Sequence, residues 1–211
     1  MKRLLARYVP FVLVLCTAQH SSAATLTVRV MDTQGAPVAN AVVEILQDPV
    51  ENPPDEVAII DQINKRFVPM VIAVQKGQRV NFPNNDNIRH HVYSFSDIKQ
   101  FSTELYADIP GMPLPFDKAG IAVLGCNIHD SMVGYIYVSE WQHVAVSDAQ
   151  GQLQLDVASL PESVSIWHPW SQDPDNRREV STQSVTDGVL EIRLPVQAPE
   201  QTFGFRALSL E

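Results

Sequence analysis

Cysteine is nearly missing from this 211-residue chain, where Cys16 and Cys126 are the only two. Cys16 falls in a stretch read below as a cleaved leader, which leaves Cys126 alone and excludes a disulfide framework. Exported proteins usually pair their cysteines or lack them, so a lone thiol there is expected to be buried or bound to a metal. Basic residues are scarce as well. Fifteen Lys and Arg stand against 24 Asp and Glu, for a formal net charge of −9. That balance argues against nucleic acid and against anionic lipid surfaces as partners. No stretch after residue 23 is apolar enough to span a membrane. No long helical periodicity is present either.

The first residues have a leader's composition. Lys2, Arg3 and Arg7 are basic, Tyr8 to Ala18 is apolar but too short to span, and Ser21-Ser22-Ala23-Ala24 offers small residues for cleavage. Residues 1–23 are read as a signal peptide cut after Ala23, so the protein is expected to be exported to the periplasm. Leu15 stands where a lipoprotein signal would place a small residue, which argues against anchoring through Cys16. The leader takes three bases and no acid with it, so the exported chain is more acidic still. What remains is long enough for one large or two small domains.

That remainder reads as all β. Leu26, Val28 and Val30 alternate with Thr27 and Arg29, and Leu190, Ile192 and Leu194 alternate with Glu191 and Arg193. Ala41 to Leu46 predicts a second strand after the turn at Asp32-Thr33-Gln34-Gly35. Asp97 to Ala107 has room for a helical turn, against which Thr103 and Pro110 argue. The turn of Val30-Met31-Asp32-Thr33-Gln34-Gly35 recurs loosely as Val146-Ser147-Asp148-Ala149-Gln150-Gly151. The pattern over residues 30–43 resembles the first hairpin of carboxypeptidase-regulatory, transthyretin-like β-sandwiches. In that family the next Ser-Asp-x-x-Gly strand follows within a few residues, whereas here it follows about a hundred residues later. The resemblance therefore implies a small sandwich of residues 24–55 and 141–196, with residues 56–140 inserted at a loop tip, where insertion is physically easy. Residues 197–211 form a tail carrying Phe203, Phe205 and Leu208. Charge divides along the same line. Residues 56–140 hold nine acids and seven bases, while most of the acidity lies outside them.

The inserted stretch carries the chemistry. Gly125-Cys126-Asn127-Ile128-His129-Asp130-Ser131-Met132 sets a thiol, an imidazole and a thioether at Cys-x2-His-x2-Met spacing. Asn84-Asn85-Asp86-Asn87-Ile88-Arg89-His90-His91 supplies further imidazoles. Two His, one Cys and a weak axial Met make the ligand set of a blue-copper electron-transfer site. Soft sulfur favours Cu(I) and imidazole accepts both oxidation states, so one geometry serves both. Asp130 is a hard donor better suited to other ions, and is read as a loop cap. Asn84 and Asn85 are read as ordering their loop. Successive strand side chains point to opposite faces, so only one of His90 and His91 can face a metal, and periodicity does not decide which. Trp167-His168-Pro169-Trp170 and His143 lie outside these loops. The first is read as a sandwich packing motif, with a docking patch as its alternative.

Residues 67–138 resemble the cupredoxin family. The match rests on Phe67 to Val74 as the strand before the metal loops, on Lys76-Gly77-Gln78-Arg79-Val80-Asn81-Phe82-Pro83-Asn84, on His90, and on the Cys126, His129, Met132 loop with Val133 to Val138 as the closing strand. The two-residue gap before Met132 is similar to the short loop of amicyanin. The larger pattern looks like exported bacterial proteins of the methylamine-utilisation or plastocyanin-like type. The resemblance implies a cupredoxin-like Greek-key β-sandwich. It also implies one copper per chain held by His90, Cys126, His129 and Met132. The family usually carries Asn after the first ligand histidine, and this chain departs from that with His91.

The function implied is one-electron transport between periplasmic redox partners by a monomer, with a dehydrogenase or cytochrome as partner and without enzymatic activity of its own. Copper delivery is the alternative, although the scattered Met31, Met70, Met112 and Met132 do not form a hand-off tract. A vestigial cupredoxin with a structural or ligand-binding role is the third reading, against which all four ligand types are present. A multicopper oxidase would need His-x-His pairs, and none occurs.

Overall fold

The alternation at Leu26, Val28 and Val30 predicts a strand with one buried face, and the computed structural model of the chain, which describes residues 24–108 and 111–199, has one there. The leader expected over 1–23 and the part of the tail beyond Pro199 lie outside the described residues. In chain order the strands are β1 Ala24–Met31, β2 Val42–Glu44, β3 Ala58–Ile59, β4 Asp61–Gln62, β5 Phe67–Val68, β6 Val71–Gln75, β7 Arg79–Asn81, β8 Tyr93–Ser96 and β9 Lys99–Ser102. They continue as β10 Leu114–Pro115, β11 Gly120–Gly125, β12 Val133–Ser139, β13 Val144–Val146, β14 Gln152–Val157, β15 Ser163–Trp167, β16 Arg177–Ser181 and β17 Val189–Arg193. Among the described residues the helical content is two single 3-10 turns, Pro174–Asn176 and Thr182–Ser184. No helix there is long and apolar enough to cross a membrane.

Two sheet systems form, each around its own apolar cluster. In the first, β1 runs antiparallel to β14 and parallel to β17, setting Val28 opposite Leu153 on one side and Leu190 on the other. A second sheet, ordered β13-β2-β15-β16, brings Val43, Val164 and Ile166 against Leu26, Val28, Val30, Leu155 and Ile192. All of these side chains are buried, each stabilising the fold by roughly 1.5–3 kcal/mol. The strands of residues 24–46 pair with strands of residues 144–193 and with none of residues 58–139.

The second system has a five-stranded sheet, β6-β12-β11-β8-β9, a smaller sheet, β10-β7-β3, and the β4-β5 hairpin. Their common core contains Phe82, Val80, Phe116, Ile136 and Leu124, and also Cys126 and Met132. Strand β12 serves both systems. Its Ile136 and Val138 face this core, while Tyr135 and Tyr137 face a third cluster with Val42, Val71 and Trp167. Tyr137 Oη donates to Glu44 Oε1 at 2.6 Å, Ser139 Oγ donates to Oε2 at 2.7 Å, and Arg177 Nη1 donates to Oε1 at 2.9 Å. A carboxylate of the first system is thus buried and fully partnered at its contact with the second.

Three local expectations change. The segment from Asp97 to Ala107 holds no helical turn, because Phe101 must reach the core beside Phe82, at 5.6 Å between ring centroids, and does so from a strand paired with β8. The run from Phe67 to Val74 is interrupted at Pro69-Met70, since proline offers no N–H to a ladder. The strand expected over Ala41 to Leu46 is confined to Val42–Glu44.

Candidate metal centre

The loop between β11 and β12 explains how Cys126, His129 and Met132 meet. Gly125 and Val133 are the last antiparallel pair, so Cys126 and Met132 leave two adjacent strand ends together. Met132 N–H donates to His129 C=O at 2.9 Å, which closes the loop as a turn and lifts His129 to its apex. Gly125 lets Tyr93 pack close, because a Cβ there would lie 2.5 Å from its ring and push it aside. His90 comes from the loop between β7 and β8. Its backbone exchanges both hydrogen bonds with Tyr106, each at 3.0 Å.

These elements place His90 Nδ1 3.8 Å and His129 Nδ1 4.0 Å from Cys126 Sγ. The three donor atoms lie within 4.8 Å of one another. His90 and Cys126 are buried and His129 is half-buried. The spacing fits a shared metal. With metal–sulfur and metal–nitrogen bonds of about 2.3 and 2.0 Å, donors at trigonal angles stand about 3.7 Å apart. Met132 is buried in the same cluster as Cys126, and both line a groove of about 380 Å³ with Tyr93, Phe95, Val123 and Val133. Asp130 lines that groove as well and is not among the three converging donors.

The histidine tautomers follow from their partners. His90 Nε2 lies 2.9 Å from Asp86 Oδ2, and a carboxylate only accepts, so Nε2 carries the proton and Nδ1 keeps its lone pair. His91 points elsewhere, with Nε2 3.0 Å from Ser102 Oγ and 3.5 Å from Asn127 Nδ2. It ties the β8-β9 hairpin to the residue after Cys126. Asn84 Nδ2 donates to the carbonyls of Ile88 and Tyr106, and Asn85 Nδ2 donates to Asp61, so both order the loop. His143 meets Asp48 at 3.6 Å, and neither joins the donor group. His168 is buried, donates from Nε2 to Ala39 C=O and accepts Trp170 N–H at Nδ1, while Trp167 packs on Tyr135 and Tyr137.

Electrostatics favour the neutral form of His129. Desolvation first, then His90 and Lys65, lower the pKa of His129, while Asp86 opposes them. The hydrogen bond from His90, followed by the Lys65 amide, holds Asp86 below the usual carboxylate range. Burial pushes Tyr106 up to about 12, with the Gln62 amide acting against the shift. Asp86 and Tyr106 are the site's neighbours that the spacing argument missed. An acid four residues before a histidine, inside an Asn-rich loop, was the available signal for the first. The pairing of Tyr106 with His90 leaves no mark in the sequence.

No protein-family model and no curated protein matches the chain. Among solved structures it is similar to a purple cupredoxin from Nitrosopumilus maritimus, at 20% identity over 39% of this chain and 99% of that one, with a TM-score of 0.36. An amicyanin from Paracoccus versutus is 17% identical over 46% of this chain and 97% of its own, with a TM-score of 0.34. A copper-containing nitrite reductase from Thermus scotoductus is 24% identical over 54% of this chain and 28% of its own, with a TM-score of 0.37. The likeness is partial, and the chemistry of this chain is read from its own side chains.

Proposed function

We propose that the chain is an exported one-electron carrier with a single blue-copper site, held closely by His90, Cys126 and His129 and weakly by Met132. The observation that carries this reading is the convergence of two Nδ1 atoms on one buried thiol, at 3.8 and 4.0 Å. Copper bound there would supply a Cu(II)/Cu(I) couple of mixed soft and borderline ligation. Cys126 and His90 keep water from the site, since both are buried. His129 is the one close donor that reaches the surface, so its ring is the port toward a redox partner protein. Met132, buried in the same cluster as Cys126, would be the weak fourth donor, a ligand set that fits transport better than catalysis. Residues 56–140 are the copper-bearing unit of this reading, inserted in a sandwich of residues 24–55 and 141–196.

Titration of the purified chain with Cu(II), followed by visible absorption and EPR, tests the reading. One equivalent should produce an intense thiolate-to-copper band that a one-electron reductant bleaches reversibly. Cys126→Ser should lose the band and stay folded. A Cys126→Ser protein that keeps the full band would rule out the site.

A further inference from the structure

We infer that Asp86 is a positioning residue for the metal site, fixing the tautomer and direction of His90 and setting the balance between the two oxidation states. The inference rests on the copper reading for its redox part and on geometry alone for its tautomer part. An isolated neutral imidazole has no reason to leave Nδ1 bare, because the proton can sit on either nitrogen. Here the Oδ2 of Asp86 sits 2.9 Å from Nε2, and the side chains of His90 and Asp86 are only 0% and 10% exposed. That contact keeps the proton on Nε2 and aims the Nδ1 lone pair at Cys126 Sγ.

The carboxylate accepts two further hydrogen bonds, and the backbone of Asp86 is anchored by a third. Lys65 N–H donates to the same Oδ2 at 2.7 Å, Asn87 N–H donates to Oδ1 at 3.1 Å, and Asp86 N–H donates to Asn84 Oδ1 at 3.0 Å. Lys65 is one of two positive-φ residues, with Asn64, in the tight turn Ile63-Asn64-Lys65-Arg66. Reciprocal bonds between Ile63 and Arg66 at 3.0 and 3.1 Å close that turn, which joins β4 and β5. Asn84 in turn donates to the Tyr106 carbonyl, and Tyr106 pairs with the His90 backbone. Backbone and side chain of His90 are therefore fixed by one connected set of bonds. Partners of this kind raise the basicity of a ligating imidazole, and their removal typically costs 10–100-fold in metal affinity. A buried negative charge one imidazole away from a metal also favours the more positive oxidation state.

Two variants separate the effects. Asp86→Asn keeps an oxygen to accept the Nε2 proton but removes the charge. Asp86→Ala removes both. In the metal-free full-length protein, nitrogen-15 NMR of the imidazoles should show His90 protonated at Nε2 in the parent chain and in Asp86→Asn. In Asp86→Ala the two tautomers should mix. In the copper-loaded protein the reduction potential should rise in both variants, and Cu(II) affinity should fall 10–100-fold in Asp86→Ala. If the metal-free parent carries the proton on Nδ1, or if Asp86→Asn leaves the potential unchanged, the role assigned to Asp86 is overturned. A parent protein that has the Nε2 tautomer but no thiolate band would instead overturn the copper reading and leave the tautomer assignment standing.

Discussion

At the scale of single residues, His90 and His91 show how neighbours with the same side chain take opposite parts. One is buried 3.8 Å from the thiol, the other spans Ser102 and Asn127 near the surface. We expect His91→Ala to keep the intense copper band and shift the potential, because it loosens the residue after Cys126 without removing a donor. His90→Ala should give a weak, ordinary Cu(II) spectrum, and absorption of the two variants side by side checks the assignment. His168 carries a pH prediction. Burial lowers its pKa to about 4, partly offset by the bond to Ala39, against about 6.5 in an unfolded chain. The unfolded state then binds the extra proton between these values. His168 contributes fully above pH 6.5, and its contribution falls by up to about 3 kcal/mol as pH drops toward 4. Urea unfolding of the parent and His168→Gln should show the difference between them shrinking as pH falls from 7 to 4. A constant difference would mean that His168 does not titrate with folding. The Cys126, His129 and Met132 spacing was legible because all three donors lie on one short loop. The choice between His90 and His91 was not legible in periodicity and rested on the resemblance alone, since it depends on Asp86 and Tyr106, which no spacing rule points to.

At the scale of elements, β12 makes one run of residues serve two cores. Ile136 and Val138 pack inward, while Tyr135 and Tyr137 meet Trp167 at 5.8 and 5.6 Å. A strand buried on both faces reads as a continuous apolar run, so its presence was plain in Val133 to Val138 and its two-sided duty was hidden. Alternation likewise marked β1 and β17, whose period-2 faces needed no knowledge of their partners. The short strands of two residues each had too few positions to show a period. Glu44 was the least legible element of the contact. A lone acid in a strand reads as solvent-facing, and its partners Tyr137, Ser139 and Arg177 are 93 to 133 residues away. Glu44→Ala would strand two buried hydroxyl donors and a guanidinium, so we expect a loss of about 2–4 kcal/mol. Tyr137→Phe should cost about 1–2 kcal/mol, because Ser139 and Arg177 still satisfy the carboxylate. Chemical denaturation of both variants checks the order. Equal losses would mean that the network adds little beyond packing.

At the scale of the whole molecule, the question is whether the two sheet systems unfold together. Each has its own apolar cluster, and Val42, Val71, Tyr137 and Trp167 form a third between them with Glu44 and Arg177 at its edge. Metal bound between the β7-β8 and β11-β12 loops stabilises only the system that holds it, unless the contact transmits the effect. We expect transmission, because β12 begins one residue after Met132 and ends at Ser139, which donates to Glu44. Calorimetry of the full chain should therefore show one transition, with and without copper. Copper at a hundredfold excess over its dissociation constant should contribute about 2.7 kcal/mol. For a chain of this length that moves the midpoint by roughly 5–10 °C. A fragment of residues 56–140 keeps all four proposed donors but exposes Val71, Tyr135 and Tyr137. It should bind copper with colour and melt well below the full chain. Two separate transitions in the parent, with only one moved by copper, would show that the contact does not couple the systems. In that case Glu44→Ala should lower only one of the two. If coupling holds, the same variant should split the single transition, and the copper-dependent half should be the one that the isolated fragment reproduces.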